Sequence, residues 1–124
     1  MSMQKCAIIA NSRPKFKNST PKQFLKIGKK TLLDLCLRRF QEHKGIGEIV
    51  LVCPKAHLAA AQRIAARHGK VASVVPGGKT RQQSSAAGVA AVPAAATHVL
   101  IHDAARALVP AALIDRVLKA LRNN

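Results

Sequence analysis

The sequence predicts an α/β fold, a parallel sheet with helices on both faces, and three observations carry the prediction. Short aliphatic and β-branched runs alternate with stretches whose apolar residues recur at three-to-four spacing. Each intervening stretch is long enough to carry a helix back across the sheet, so successive strands run parallel. Hydrophobic residues make up 48% of a 124-residue chain, which is enough for a core and matches the length of one domain, usually about 100–200 residues.

The strands are "KCAIIA" (Lys5 to Ala10), "EIVLVC" (Glu48 to Cys53), "VASVV" (Val71 to Val75) and "HVLIH" (His98 to His102), each bounded by polar, Gly or Pro residues. A first helix is expected over Thr31 to His43. Leu32, Leu33, Leu35, Cys36, Leu37 and Phe40 keep helical spacing there, Thr31 and Asp34 form a capping pair, and Gly45 acts as a stop. A second covers Ala56 to His68, stopped by Gly69. A third covers Arg81 to Val92 before Pro93, weakened somewhat by Gly88, and a fourth covers Pro110 to Leu121 with Pro110 in its first turn. Four β-α units with right-handed crossovers make a Rossmann-like three-layer sheet of strand order 3-2-1-4. Ligands of such sheets sit outside the carboxyl ends of the strands, where strand order reverses. That point brings the loop after Ala10 beside His102 and Asp103.

Twenty-one Lys and Arg against five Asp and Glu give a formal charge of +16, so the partner should be an anion. Residues 11 to 30, "NSRPKFKNSTPKQFLKIGKK", alone hold seven of the basic residues and no acid. A solvated loop, a nucleic-acid patch and a phosphate cradle at a strand end all fit that run. No helix-turn-helix turn, zinc spacing or aromatic RNA-binding strand accompanies the charge. There is no Trp or Tyr and only Phe16, Phe24 and Phe40, so the core is aliphatic. No stretch approaches the roughly 20 apolar residues of a membrane span and no signal peptide is visible, which points to the cytoplasm. Cys6, Cys36 and Cys53 lie in apolar runs without C-x-x-C spacing and read as reduced core residues, not metal ligands. His43, His57, His68 and His98 are scattered and read as solvated or packed, and His102 as structural.

Four segments fall at the carboxyl ends of the strands: "NSRPKFKNSTPKQF", "CP", "PGGKTRQQS" and "HDAAR". With the helices that follow, in this order and spacing, the chain resembles the methylerythritol phosphate cytidylyltransferases of isoprenoid biosynthesis and the related ribitol phosphate cytidylyltransferases over nearly its whole length. The resemblance implies a nucleotidyltransferase fold and an enzyme that joins CTP to a sugar-alcohol phosphate with release of pyrophosphate. Catalysis is then mainly alignment and charge neutralisation. It implies that Lys22 of "PKQF" contacts the triphosphate and that Lys15 falls on the family's catalytic arginine. Ala10, Asn11, Arg13, Gly77, Gly78, Arg81 and Ser84 are then nucleotide-binding. Asp103 is placed at the ribose and a Mg²⁺ ion, a hard cation that suits a carboxylate oxygen, and Arg106 near the acceptor phosphate.

Three departures stand out. The family's first loop has the form A-A-G-x-G-x-R, whereas here Asn11 and Arg13 stand where glycine is expected, and the loop is about two residues short. Gln83 replaces an aspartate. Family members run to roughly twice this length, with a second half that extends the sheet. Residues 1–124 are therefore expected to form a single CTP-binding domain, the nucleotide half of the family. These departures support an alternative reading, a truncated non-catalytic remnant whose basic surface binds anions or nucleic acid. With no second half to pair with it, "HVLIH" is expected to be an edge strand whose Val99, Leu100 and Ile101 invite another copy, giving self-association that grows with salt.

Overall fold

The structure, a computed structural model, describes residues 5–10, 26–103 and 110–122. In chain order the elements are β1 (Lys5–Ala10), β2 (Lys26–Ile27), β3 (Lys30–Thr31), α1 (Leu32–Glu42), β4 (Glu48–Cys53), a 3₁₀ turn (Lys55–His57), α2 (Leu58–Ala65), β5 (Val71–Pro76), α3 (Arg81–Ala90), β6 (His98–Asp103) and α4 (Ala111–Arg122). β1, β4, β5 and β6 form one parallel sheet in the order β5-β4-β1-β6. Counting those four alone, this is the expected 3-2-1-4. Among the described residues no helix is long and apolar enough to cross a membrane.

β4 shows why an uninterrupted apolar run becomes an inner strand. Ile49 to Cys53 are all buried, and their side chains alternate between two helical layers. Ile49, Leu51 and Cys53 join Leu33, Cys36, Leu37 and Phe40 of α1, Ala61, Ile64 and Ala65 of α2, and Ile114 and Leu118 of α4. Val50 and Val52 face the other way, with Val75, Ala91, Val92, Ala96 and Val99 around them. α3 packs on that side against β1, β4 and β5. The buried thiols of Cys36 and Cys53 are free, as expected of core residues.

α1 begins at a complete capping box: the Thr31 hydroxyl accepts from the Asp34 N–H at 3.1 Å, and the Asp34 carboxylate accepts from the Thr31 N–H at 3.3 Å. It ends at Glu42, with His43 already extended, so Gly45 is not its stop. Gly45 is needed for close approach instead, because a Cβ there would lie 2.5 Å from Cδ1 of Leu118 in α4. α2 is shorter than expected at both ends. Pro54 precedes a 3₁₀ turn, and after Ala65 the N–H groups of Arg67 and His68 reach back only three residues, to Ile64 and Ala65. That tightening turns the Arg67 and His68 side chains onto Asp34 at the start of α1, at 3.1 and 3.4 Å. α4 starts one residue after Pro110. The β2–β3 hairpin was not expected. It turns on Gly28, whose φ of +66° is the positive value that short hairpin turns demand.

β6 pairs with β1 and forms an edge of the described sheet, with Ile101 51% exposed. Leu100 points the other way and packs on the main core. Of the three apolar residues expected to line a sticky edge, Val99 and Leu100 therefore pack onto the two core clusters, and Ile101 is the exposed one.

Candidate functional site

Parallel pairing assembles the site from remote segments. Ala10, the last residue of β1, pairs with Asp103 at the end of β6 and with Val52 of β4. Cys53 pairs with Pro76, and the chain leaving β5 stays on the sheet because the Gly77 N–H donates to the Cys53 carbonyl at 2.7 Å. Ala10, Gly77, Gly78, Arg81, Ser84 and Asp103 thus lie at one end of the sheet, as the topology requires.

The loop between β5 and α3 is tied to the first turn of the helix it precedes. Thr80 is the N-cap, and its hydroxyl accepts from the Gln83 N–H at 3.1 Å. The Ser84 hydroxyl accepts from the Gly78 N–H at 3.2 Å, and the Gln83 amide oxygen accepts from the Lys79 N–H at 2.7 Å. The glycine pair makes this folding-back possible. A Cβ on Gly77 would meet the Ser84 hydroxyl at 2.7 Å, and one on Gly78 would overlap the Gln83 side chain. Gln83, where the family pattern has aspartate, serves as a brace of the loop. The T-x-x-Q spacing from Thr80 is that of a capping box, but the amide oxygen meets the Lys79 N–H, one residue before the N-cap.

Arg81 reaches across from α3 to Asp103, Nη2 to Oδ2, at 3.4 Å. The guanidinium is 82% exposed and the carboxylate 26%, so the contact is long and its arginine end is well solvated. Asp103 also acts inward. Burial, reinforced by the Asp103 charge, pushes the Cys36 thiol up to about 12, and burial alone pushes Cys53 up to about 11. Both stay protonated at neutral pH and are poor nucleophiles and poor metal ligands. Among the described residues no group of three or more His, Cys, Asp or Glu could hold a metal by itself. One carboxylate acting together with phosphate oxygens still fits the way a divalent cation is held at nucleotide sites. The His102 ring lies against Phe40, centroids 5.1 Å apart, a packing role. His43 and His68 likewise serve the scaffold, through Asp115 and Asp34. Asn11, Arg13, Lys15, Lys22 and Arg106 lie outside the described residues.

A parallel sheet of order 3-2-1-4 with helices on both faces is the architecture of a nucleotidyltransferase fold. In agreement, a crystal structure of 4-diphosphocytidyl-2C-methyl-D-erythritol synthase from Anaerococcus prevotii DSM 20548 superposes with a TM-score of 0.85 at 25% identity, over 98% of this chain and 52% of that one. The chain belongs to the 2-C-methyl-D-erythritol 4-phosphate cytidylyltransferase (IspD) family, which it matches over residues 6–124. A 2-C-methyl-D-erythritol 4-phosphate cytidylyltransferase of Clostridium botulinum (strain Loch Maree / Type A3) is 38% identical over 122 residues, 96% of this chain and 53% of its own. A ribitol-5-phosphate cytidylyltransferase of Vibrio parahaemolyticus is 34% identical over 116 residues, 89% of this chain and 49% of its own. The chain spans about half the length of the curated relatives it matches.

Proposed function

We propose that residues 1–124 form one CTP-binding domain, and that it takes part in transfer of CMP from CTP to methylerythritol phosphate. The observation that carries this is the convergence of Ala10, the Gly77–Gly78 loop, Arg81 and Asp103 at one end of the sheet. It is supported by membership of the cytidylyltransferase family. In the reaction an oxygen of the acceptor phosphate attacks the α-phosphorus of CTP. A new phosphoanhydride bond forms, the bond to the bridging oxygen of the β-phosphate breaks, and pyrophosphate leaves with that electron pair.

The chain's own groups would orient and neutralise. Gly77 and Gly78 let backbone approach the base and ribose, with Ser84 holding the loop and Arg81 beside it. Lys22 and Lys15, with Asn11 and Arg13, would face the triphosphate, and Arg106 the acceptor. Asp103 is the residue that would hold a divalent cation together with phosphate oxygens, such an ion supplying charge neutralisation at the triphosphate. Because the Arg81 guanidinium is exposed and its contact with Asp103 long, giving it up for a cation would cost little.

Calorimetric titration with CTP and ATP, each with and without Mg²⁺, tests the reading. Tighter, Mg²⁺-dependent binding of CTP is expected. Equal and Mg²⁺-independent binding of both nucleotides would reduce the site to unspecific charge attraction. Where pyrophosphate release is measurable, Lys22→Ala should lower the rate by on the order of 10²–10³, the usual effect of losing one charge contact in the transition state.

A further inference from the structure

We infer that the outer surface of the helical layer formed by α2, α1 and α4 binds the phosphate backbone of a polynucleotide, independently of sequence and of the nucleotide site. The three helices share one side of the sheet. Arg67 and His68, just past α2, reach Asp34 of α1, and His43, just past α1, meets Asp115 of α4 at 2.7 Å. With their apolar stripes turned to the core, what remains outside is more basic than acidic: Glu42 and Asp115 are exposed there, outnumbered by Arg and Lys. Arg39 on α1, Arg63 on α2, and Arg116 and Lys119 on α4 are all exposed and form no ion pair among the described residues. Arg63 lies opposite the buried Ala61, Ile64 and Ala65, and Arg116 opposite Ile114 and Leu118, so both point straight out. Arg38 and Arg67 share the layer, each already matched by a carboxylate. Packed helices sit about 8–10 Å apart, so the charge extends over roughly 20 Å, a span that covers several phosphates of a duplex.

The rest of the surface says which polyanion fits. A lipid headgroup layer would ask for apolar side chains beside the cations. Yet on this layer Leu113 of α4 is the one large apolar residue that is exposed among the described residues, α1 and α2 expose none, and Val89 and Ile101 lie on the α3 side, so no apolar cluster accompanies the cations. Stacking of unpaired bases needs exposed aromatic rings, whereas Phe40, the one Phe among the described residues, is fully buried. What is left is recognition of the phosphate backbone. A duplex, with its higher charge density, should therefore bind better than the same sequence as a single strand.

Fluorescence anisotropy with a labelled 20-base-pair DNA duplex, its single strand, polyglutamate and phosphatidylserine vesicles tests this on the whole chain. Expected is duplex binding in the unspecific range, a Kd of about 10⁻⁴–10⁻⁶ M near physiological salt. Log affinity should fall linearly with log salt, and excess CTP with Mg²⁺ should not displace the duplex. Arg63→Glu with Arg116→Glu should lower the salt slope by about 2, one per lost phosphate contact, while leaving the far-UV spectrum and CTP affinity unchanged. Equal binding of polyglutamate, preference for vesicles, displacement by CTP, or a slope untouched by the double reversal would each overturn the inference. These readouts do not depend on the CTP reading, so either can fail alone.

Discussion

Among the residues whose burial is described, the sheet is sealed toward α1, α2 and α4 by Phe40, Leu33, Leu37, Ile46, Ile114 and Leu118, whereas toward α3 those fully buried are Val50 and Val52, ringed by half-buried Val and Ala residues. The first face uses long and aromatic side chains. The second uses "SSAAG", with Gly88 buried, so that the helix comes close to the strands. Burial of apolar area scales with side-chain size, at about 25 cal/mol per Å², so the two faces cannot contribute equally to stability. What the α3 face gives up in packing it gains in chemistry. Small and hydroxyl residues leave room for the Gly77–Gly78 loop to fold onto Ser84 and for Arg81 to reach Asp103. The division is between a face that holds the fold and a face that carries the glycine loop and the Arg81–Asp103 contact.

The largest test of that division is a matched pair of truncations. Phe40→Ala, on the thick face, should cost about 3–5 kcal/mol of unfolding free energy, and Val52→Ala, on the thin one, about 2. Urea unfolding of both variants measures the ratio. Comparable losses would erase the asymmetry.

Next in size is the ionic cluster that locks the thick face. Asp34 is 3% exposed, accepts from the Thr31 N–H and hydroxyl, and meets Arg67 and His68. Burial works against its charge, but the Thr31 bonds, His68 and the Arg67 guanidinium outweigh it and hold the carboxyl below its ordinary 3.8. A depressed folded-state value means that the stabilisation is complete above the ordinary carboxylate range and is lost as pH falls through the folded value. Asp34→Asn should therefore cost about 2 kcal/mol at neutral pH. It should also flatten the decline of thermal midpoint below about pH 4. A variant whose acid profile overlays that of the wild type would show that Asp34 is not what the acid attacks.

How much of this was written in the sequence differs between local and remote interactions. All four long strands and the Thr31–Asp34 box were legible, because apolar runs and caps are encoded within a few adjacent residues. The end of α2 was not, since Arg67 and His68 leave the helix to reach Asp34, a partner far away in sequence that no periodicity announces. Gly45 misled for the same reason, its true constraint being Leu118 on α4. The placement of Gly77, Gly78, Arg81 and Asp103 together at the carboxyl end of the sheet was legible through the topology. The bracing by Gln83 was not, because this position stood out only as a departure from the family's aspartate.

Gly45 offers a smaller effect on the thick face. In Gly45→Ala the new methyl meets Cδ1 of Leu118, and the buried leucine must rotate or α4 must shift. The cost should be about 1–2 kcal/mol, the lower part of the range for overpacking, because the obstructing atom is a side-chain end. Gly45→Ala combined with Leu118→Ala removes the overlap, so the two costs should add to more than the double variant shows. Strict additivity in thermal unfolding would mean that the two residues do not touch.

The smallest stability effect should accompany the sharpest functional one. Ser84→Ala removes the hydroxyl that accepts from the Gly78 N–H at 3.2 Å. On the thin, half-exposed face water can replace that bond, so unfolding should cost about 1 kcal/mol or less. The loop, however, loses the contact that fixes its glycines, and a ligand that needs them in place must then order them itself. A tenfold weakening of CTP binding corresponds to about 1.4 kcal/mol, and a loss of that order is expected. Ser84→Thr, which keeps the hydroxyl, should recover most of it. If Ser84→Ala lowers stability and CTP affinity in the same small proportion, with no recovery by threonine, the α3 face is merely a weaker copy of the other one.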